Sequence, residues 1–168
     1  LNSGIHINWC VVGEPTSQSC VGDVVKIGRR GSLTGHLTVS GIQGHIAYPD
    51  QTVNPIHQVS PALTELCNIV WDKGNEHYDP TSFQISNINA GTGADNVIPG
   101  KVQIQFNIRY STEVSEETLI QTIRATLKNH GLQYEITWLP SSKPFLTESG
   151  ELLSVAKDVI KKISGQIP

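Results

Sequence analysis

The run Val102-Gln103-Ile104-Gln105-Phe106-Asn107-Ile108 alternates apolar and polar residues without a slip. A period of two makes it a strand with one dry face and one wet face. Residues 32–40 repeat the pattern, with Leu33, Gly35, Leu37 and Val39 on the dry side. Between these two strands the period changes. Ile56, Val59, Leu63, Leu66, Ile69 and Val70 recur every three or four residues through Trp71, behind Asn54-Pro55, a capping amide and a proline suited to the first helical position. Phe83, Ile85 and Ile88 mark a further strand, expected to pair with 102–108. Ser115-Glu116-Glu117 opens a second helix that carries Leu119, Ile123 and Leu127 to a stop at His130-Gly131, and Tyr134, Ile136 and Trp138 alternate in a last strand. The order βαββαβ over about 32–140 predicts an α+β fold: a two-layer ferredoxin-like sandwich, an antiparallel sheet with both helices on one face. Its exposed edge is expected at 33–40 or 83–89, beside the 54–71 helix, and hiding that edge in a symmetric pair predicts a dimer.

The ends of the chain fall outside this pattern. Ile7–Val12, "INWCVV", reads as a buried strand closed by the turn Gly13-Glu14-Pro15-Thr16, and 151–163 as an amphipathic helix after the break "PSSKP" at 140–144. Both flanks are short for a domain of their own. The expected division is 1–31 and 143–168 as two pieces of one domain, with 32–142 inserted between them. The chain has 168 residues, 38% hydrophobic and 16% charged, so it can bury a core. Its formal net charge of −3, with no basic cluster longer than Arg29-Arg30, gives no footprint for nucleic acid or an anionic membrane. No apolar run approaches a membrane span and no signal peptide is visible at the start, so the expected compartment is the cytoplasm. Cys10, Cys20 and Cys67 form no CxxC pair and read as reduced thiols, Cys10 and Cys67 in apolar settings.

Few positions offer chemistry. Glu14 would either project from the carboxyl end of a strand or stand as a solvated turn carboxylate. His45, in "GIQGHIAYP" at 41–49, is a hydrogen-bonded histidine at a strand end, a metal ligand or a catalytic group. Two bridged metal ions need about three protein ligands each, yet the six histidines are scattered with no HxxE or HExxH pair. Asn96 closes the glycine-rich loop 91–96, which lacks the lysine and the strand-to-helix setting of a phosphate cradle and is otherwise a plain hairpin turn. Arg29, Arg30 and Arg109 could be surface ion pairs or forks for carboxylates. Tyr48, Trp71 and Trp138 read mainly as packing, and His57 as solvent-facing or interfacial.

Ordered segments run nearly end to end: "VVGEPTS" at 11–17, "GRRGSLTGHLTVSGIQGHIAYP" at 28–49, "NPIH" at 54–57, "TSFQISNINAGTGADNVIPG" at 81–100 and "FNIRYSTE" at 106–113. Together they resemble the succinyl-diaminopimelate desuccinylase family of dinuclear zinc amidohydrolases. The resemblance implies a homodimeric bacterial enzyme of lysine and diaminopimelate synthesis, with two zinc ions per subunit, or cobalt in their place, and an inserted dimerisation or lid domain. It makes Glu14 a metal ligand, and His45 a donor that reaches into the partner's active site toward the oxygen that becomes negative during amide hydrolysis. Asn96 becomes a second contact across the dimer, and Arg109, Arg29, Ser32 and Tyr48 become contacts to a small succinylated amino-acid substrate. The segments expected to carry the remaining metal ligands and the glutamate base are absent, so this chain alone is expected to be inactive and to hold no metal tightly. The alternatives are the lid of a related deacylase or peptidase, such as an acetylornithine deacetylase, and a stand-alone module that senses amino acids.

Overall fold

A computed structural model describes residue 4 and residues 6–168; Leu1, Asn2, Ser3 and Ile5, part of the expected 1–31 flank, lie outside the description. The chain divides into two compact units, Arg30–Phe145 and a second made of Leu1–Arg29 with Leu146–Pro168.

The Arg30–Phe145 unit contains β1 (Gly31–Ser40), β2 (Gly44–His45), α1 (Pro55–Asn68), β3 (Ser82–Ala90), β4 (Val97–Ile98), β5 (Lys101–Tyr110), α2 (Glu116–Asn129) and β6 (Tyr134–Trp138). Its four long strands lie in the order β3-β5-β1-β6, every neighbour antiparallel. This is the expected βαββαβ sandwich. The dry face of the sheet supplies Leu33, Leu37, Val39, Phe83, Val102, Ile104, Phe106 and Ile108 to the core, and the helices close it with Val59, Ala62, Leu66, Leu119, Ile123 and Leu127. Both caps form as read: Asn54 Oδ1 accepts from the Ile56 amide at 3.0 Å and Ser115 Oγ from Thr118 at 3.1 Å.

Glycine within the β1 alternation has a packing reason. A Cβ on Gly35 would lie 2.2 Å from Phe106 Cζ, and one on Gly31 would lie 2.3 Å from Tyr110 Cζ. Each glycine faces its aromatic directly across the ladder, so the ring lies over the gap. Phe106 in turn meets Phe83 at 5.0 Å between centroids and Trp138 edge-on at 5.7 Å.

Several expectations need correction. Strand 33–40 is not an edge, since β5 and β6 flank it; the edges are β3 and β6. The first helix stops at Asn68, whose Nδ2 donates to Thr64 O at 2.8 Å, and the chain turns extended at Ile69 so that Ile69 and Trp71 still pack on the core. Ile7–Val12 forms no strand and is not buried: Val11 is 78% exposed. No strand among the described residues pairs with it, and an unpaired extended segment has no neighbour to cover either face. Cys10 and Cys67 are exposed rather than apolar in setting.

In the second unit, α3 (Glu151–Ser164) forms over the expected helical stretch and buries no residue completely. Loop 16–24 is organised by Asp23, whose carboxylate accepts from the amides of Gln18, Ser19 and Cys20 at 2.7 to 3.0 Å. Those bonds, the one from Ser19 foremost, hold the Asp23 carboxyl below its usual pKa. No helix among the described residues is long and apolar enough to cross a membrane.

Candidate functional site

Beyond the end of the sheet where Ser40 faces Lys101, the chain continues as a small two-stranded ribbon. Gly41 N donates to Gly100 O at 2.8 Å, then Gly44 pairs with Ile98 and His45 with Val97. Close packing requires glycine at Gly44, where a Cβ would sit 2.4 Å from Thr52 Cγ2. After His45 the chain reverses, Tyr48 N donating to His45 O at 3.0 Å, and Pro49 starts a 3₁₀ turn over Pro49–Gln51.

This ribbon presents His45, Asn96 and Tyr48 together, all exposed. His45 Nε2 lies 3.4 Å from Asn96 Nδ2, and the His45 and Tyr48 rings are 5.9 Å apart at 55°. His45 Nδ1 accepts from the Ala47 amide at 3.1 Å. An open groove beside the ribbon is lined by Ile46, Pro49, Val53, Ile98 and by His57, which is exposed as expected. Among the described residues no carboxylate lies within ion-pair distance of His45.

Arg109 belongs elsewhere. On β5 it lies eight residues from Lys101, about 26 Å at the usual strand rise. It points to the wet face in one cross-strand row with Ser32 on β1 and Ser82 on β3. Among the described residues no carboxylate lies within ion-pair distance of it. Asn107, two residues earlier on the same face, donates from Nδ2 to Ser32 Oγ at 3.1 Å and Thr34 Oγ1 at 2.8 Å, which leaves the Ser32 proton free to donate. The sequence reading missed Asn107 and Ser82, although the alternation that exposes Arg109 also exposes Asn107. Arg30 donates to Pro80 O at 3.4 Å. At this end Tyr110 is buried, and burial, followed by the charge of Glu116, pushes its phenol pKa up.

Glu14 and Arg29 lie in the second unit, both exposed. Among the described residues no three His, Cys, Asp or Glu side chains are grouped to hold a metal ion, so the donors present do not by themselves fit a two-metal centre.

The antiparallel sandwich thus carries an exposed polar ribbon at one end and Arg109, with no carboxylate partner among the described residues, at the other. The peptidase dimerisation domain family matches over residues 27–135, and the chain belongs to that family. It is 57% identical over 162 residues to a succinyl-diaminopimelate desuccinylase of Pseudoalteromonas translucida, and 58% identical over 159 residues to one of Shewanella piezotolerans. The matches cover 96% and 95% of this chain but 43% and 42% of those relatives, so the chain spans under half their length. Among solved structures, an M20 family metallo-carboxypeptidase from Sulfolobus solfataricus superposes with a TM-score of 0.71 at 12% identity, covering 84% of this chain and 45% of that one. An aminopeptidase from Bacillus cereus gives 0.66 at 20% identity, covering 90% and 40%. These two likenesses speak for the fold.

Proposed function

We propose that this chain is the dimerisation and lid part of a metal-dependent hydrolase that cleaves N-succinyl-LL-diaminopimelate to succinate and LL-diaminopimelate in the cytoplasm. Residues 32–142 are the lid, and 1–31 and 143–168 are the flanking pieces of the catalytic domain. The names of the relatives at 57–58% identity support the substrate. Zinc, or cobalt, is the metal of the parent enzyme; it would polarise the amide carbonyl and supply an activated water. Glu14 is the only residue here assigned to it, and the other ligands would come from outside these 168 residues.

One observation carries the assignment of roles: the ribbon with His45 and Asn96 leaves the sheet beyond Lys101, which lies about 26 Å along β5 from Arg109 and the paired Ser32. A small tricarboxylate amide cannot touch both ends of one lid. In a two-fold dimer it can meet Arg109 and Ser32 of one subunit and His45 and Asn96 of the other. The Arg109 fork and the Ser32 hydroxyl hold a carboxylate of the substrate; on the other side His45, with the Tyr48 hydroxyl beside it, donates to the developing oxyanion, and Arg29 is a further candidate contact to substrate. The two-fold is formed by β3, whose nine residues make a longer free edge than the five of β6.

Complementation in the full-length dimer tests this. His45→Ala and Arg109→Ala homodimers are each expected to lose about a hundredfold or more in turnover. A mixed dimer with one of each subunit recovers one of its two sites, because that site combines an intact Arg109 with the partner's intact His45. Absence of recovery means that His45 acts within its own subunit and sinks the proposal. In the same assay the 168-residue chain alone is expected to stay at background.

A further inference from the structure

We infer that the backbone amide of Ala47 is a positioning group which fixes His45 as a neutral donor, with its proton on Nε2. The inference rests on the proposed role of His45 only for its consequence, not for its geometry. An amide N–H can only donate, so the nitrogen that accepts it, Nδ1 at 3.1 Å, carries no proton. A neutral imidazole has one N–H, which therefore sits on Nε2. That nitrogen is exposed and lies 3.4 Å from Asn96 Nδ2. With the proton on Nε2, this N–H and the Asn96 N–H cannot bond one another, so both stay available to an acceptor. In this tautomer Nε2 has no free lone pair, so His45 cannot take a proton through that atom. Its place in the reaction is that of a donor and not of a general base.

The turn explains why this amide is available. The 45–48 reversal uses the Tyr48 amide for the His45 carbonyl, which leaves the Ala47 amide without a backbone partner and directed back at the ring two residues earlier. The side chain of residue 47 takes no part, so the effect belongs to the backbone alone.

The test uses the 168-residue chain with ¹⁵N-labelled histidine, at a pH where the ring is neutral, and reads the tautomer from long-range ¹⁵N–¹H correlations. The expected His45 pattern is an unprotonated Nδ1 and a protonated Nε2. A semisynthetic chain with lactic acid at position 47 replaces the amide by an ester and removes the N–H without constraining the backbone. Losing one hydrogen bond should then shift the tautomer ratio by about two- to twelvefold toward Nδ1–H. Ala47→Gly, which keeps the amide, should leave the ratio unchanged. A native ring that averages between tautomers or carries its proton on Nδ1 overturns the inference, as does an ester variant with the native ratio. Neither readout depends on turnover, so failure of the desuccinylase reading would leave this result standing, and the reverse.

Discussion

The two units of this chain make opposite use of similar apolar content. Every fully buried hydrophobic side chain among the described residues belongs to Arg30–Phe145. In the second unit Trp9 is 57% exposed and Val159, on the apolar side of α3, 48%. The difference is not one of hydrophobicity, since "INWCVV" is as apolar as any stretch of β5. What separates them among the described residues is whether a neighbouring strand or helix packs over the face. Each strand of the four-stranded sheet finds a neighbour, and its dry face finds α1 and α2. Apolar patterning thus specifies a surface to be covered, and burial follows only where a cover exists.

The sharpest way to break this contrast is to truncate one side chain in each unit. Phe106 is 1% exposed, lies over Gly35 and touches Phe83 and Trp138. Phe106→Ala is expected to cost about 3–5 kcal/mol, because the glycine beneath it offers nothing to refill the space. Val159→Ala should stay within about 0.5 kcal/mol, a half-exposed methyl pair lost and helix propensity gained. Urea unfolding followed by tryptophan fluorescence measures both. A cost at Val159 comparable to that at Phe106 would mean that α3 is covered in solution.

The same logic decides what could be read in advance. Strand and helix periods are local, so the order βαββαβ and both caps were legible from spacing alone. Even the irregularity of β3 was present: Phe83, Ile85 and Ile88 are spaced by two and then three, and the register shift between Ile85 and Asn87 restores the face. Strand order is not local. Residues 33–40 were a plausible edge until β6 was seen to pair with them, and nothing in the spacing of either strand says so. The site divides in the same way. The motif around His45 pointed to a role, but the placing of its ribbon beyond the end of β5 opposite Arg109, on which the assignment of subunits rests, exists only after folding. Ala47 was invisible because its contribution is a backbone N–H that any residue but proline would supply.

A smaller effect tests how the well-covered unit holds its own loops. Asp72 anchors the 72–81 loop, accepting from Gly74 N at 2.7 Å, Thr81 N at 3.0 Å and Ser111 Oγ at 3.0 Å. Partial burial raises the pKa of this carboxyl, but the bonds from Thr81, Gly74 and Ser111 outweigh it and hold the pKa below the ordinary value. A depressed pKa contributes stability that is fully present above the unfolded-state value, about 3.9, and is lost as pH falls through the folded-state value. Asp72→Ala should therefore cost about 2 kcal/mol at neutral pH and flatten the acid limb of the stability profile below about pH 4. An unchanged acid limb would assign that limb to other carboxylates.

The smallest expected effect lies on the rim of the same unit, where Glu65 of α1 meets α2. Its Oε2 is 2.8 Å from His130 Nε2, and its Oε1 accepts from Thr126 Oγ1 at 3.2 Å. The hydrogen bond from His130 is the main cause that lowers the Glu65 pKa, against a smaller opposing effect of burial. Its contribution is thus present above the ordinary carboxylate pKa and fades as acid protonates it. Both partners are open to solvent, so water and salt screen the pair far more than they weaken the packing of Phe106. Glu65→Gln should lower the melting temperature slightly at low ionic strength, and the difference should vanish in 1 M salt, where the screening length is about 3 Å. If the difference survives 1 M salt, the helices are tied at this point by the hydrogen bond to Thr126 and by packing, and charge adds nothing to the cover that α1 and α2 place over the sheet.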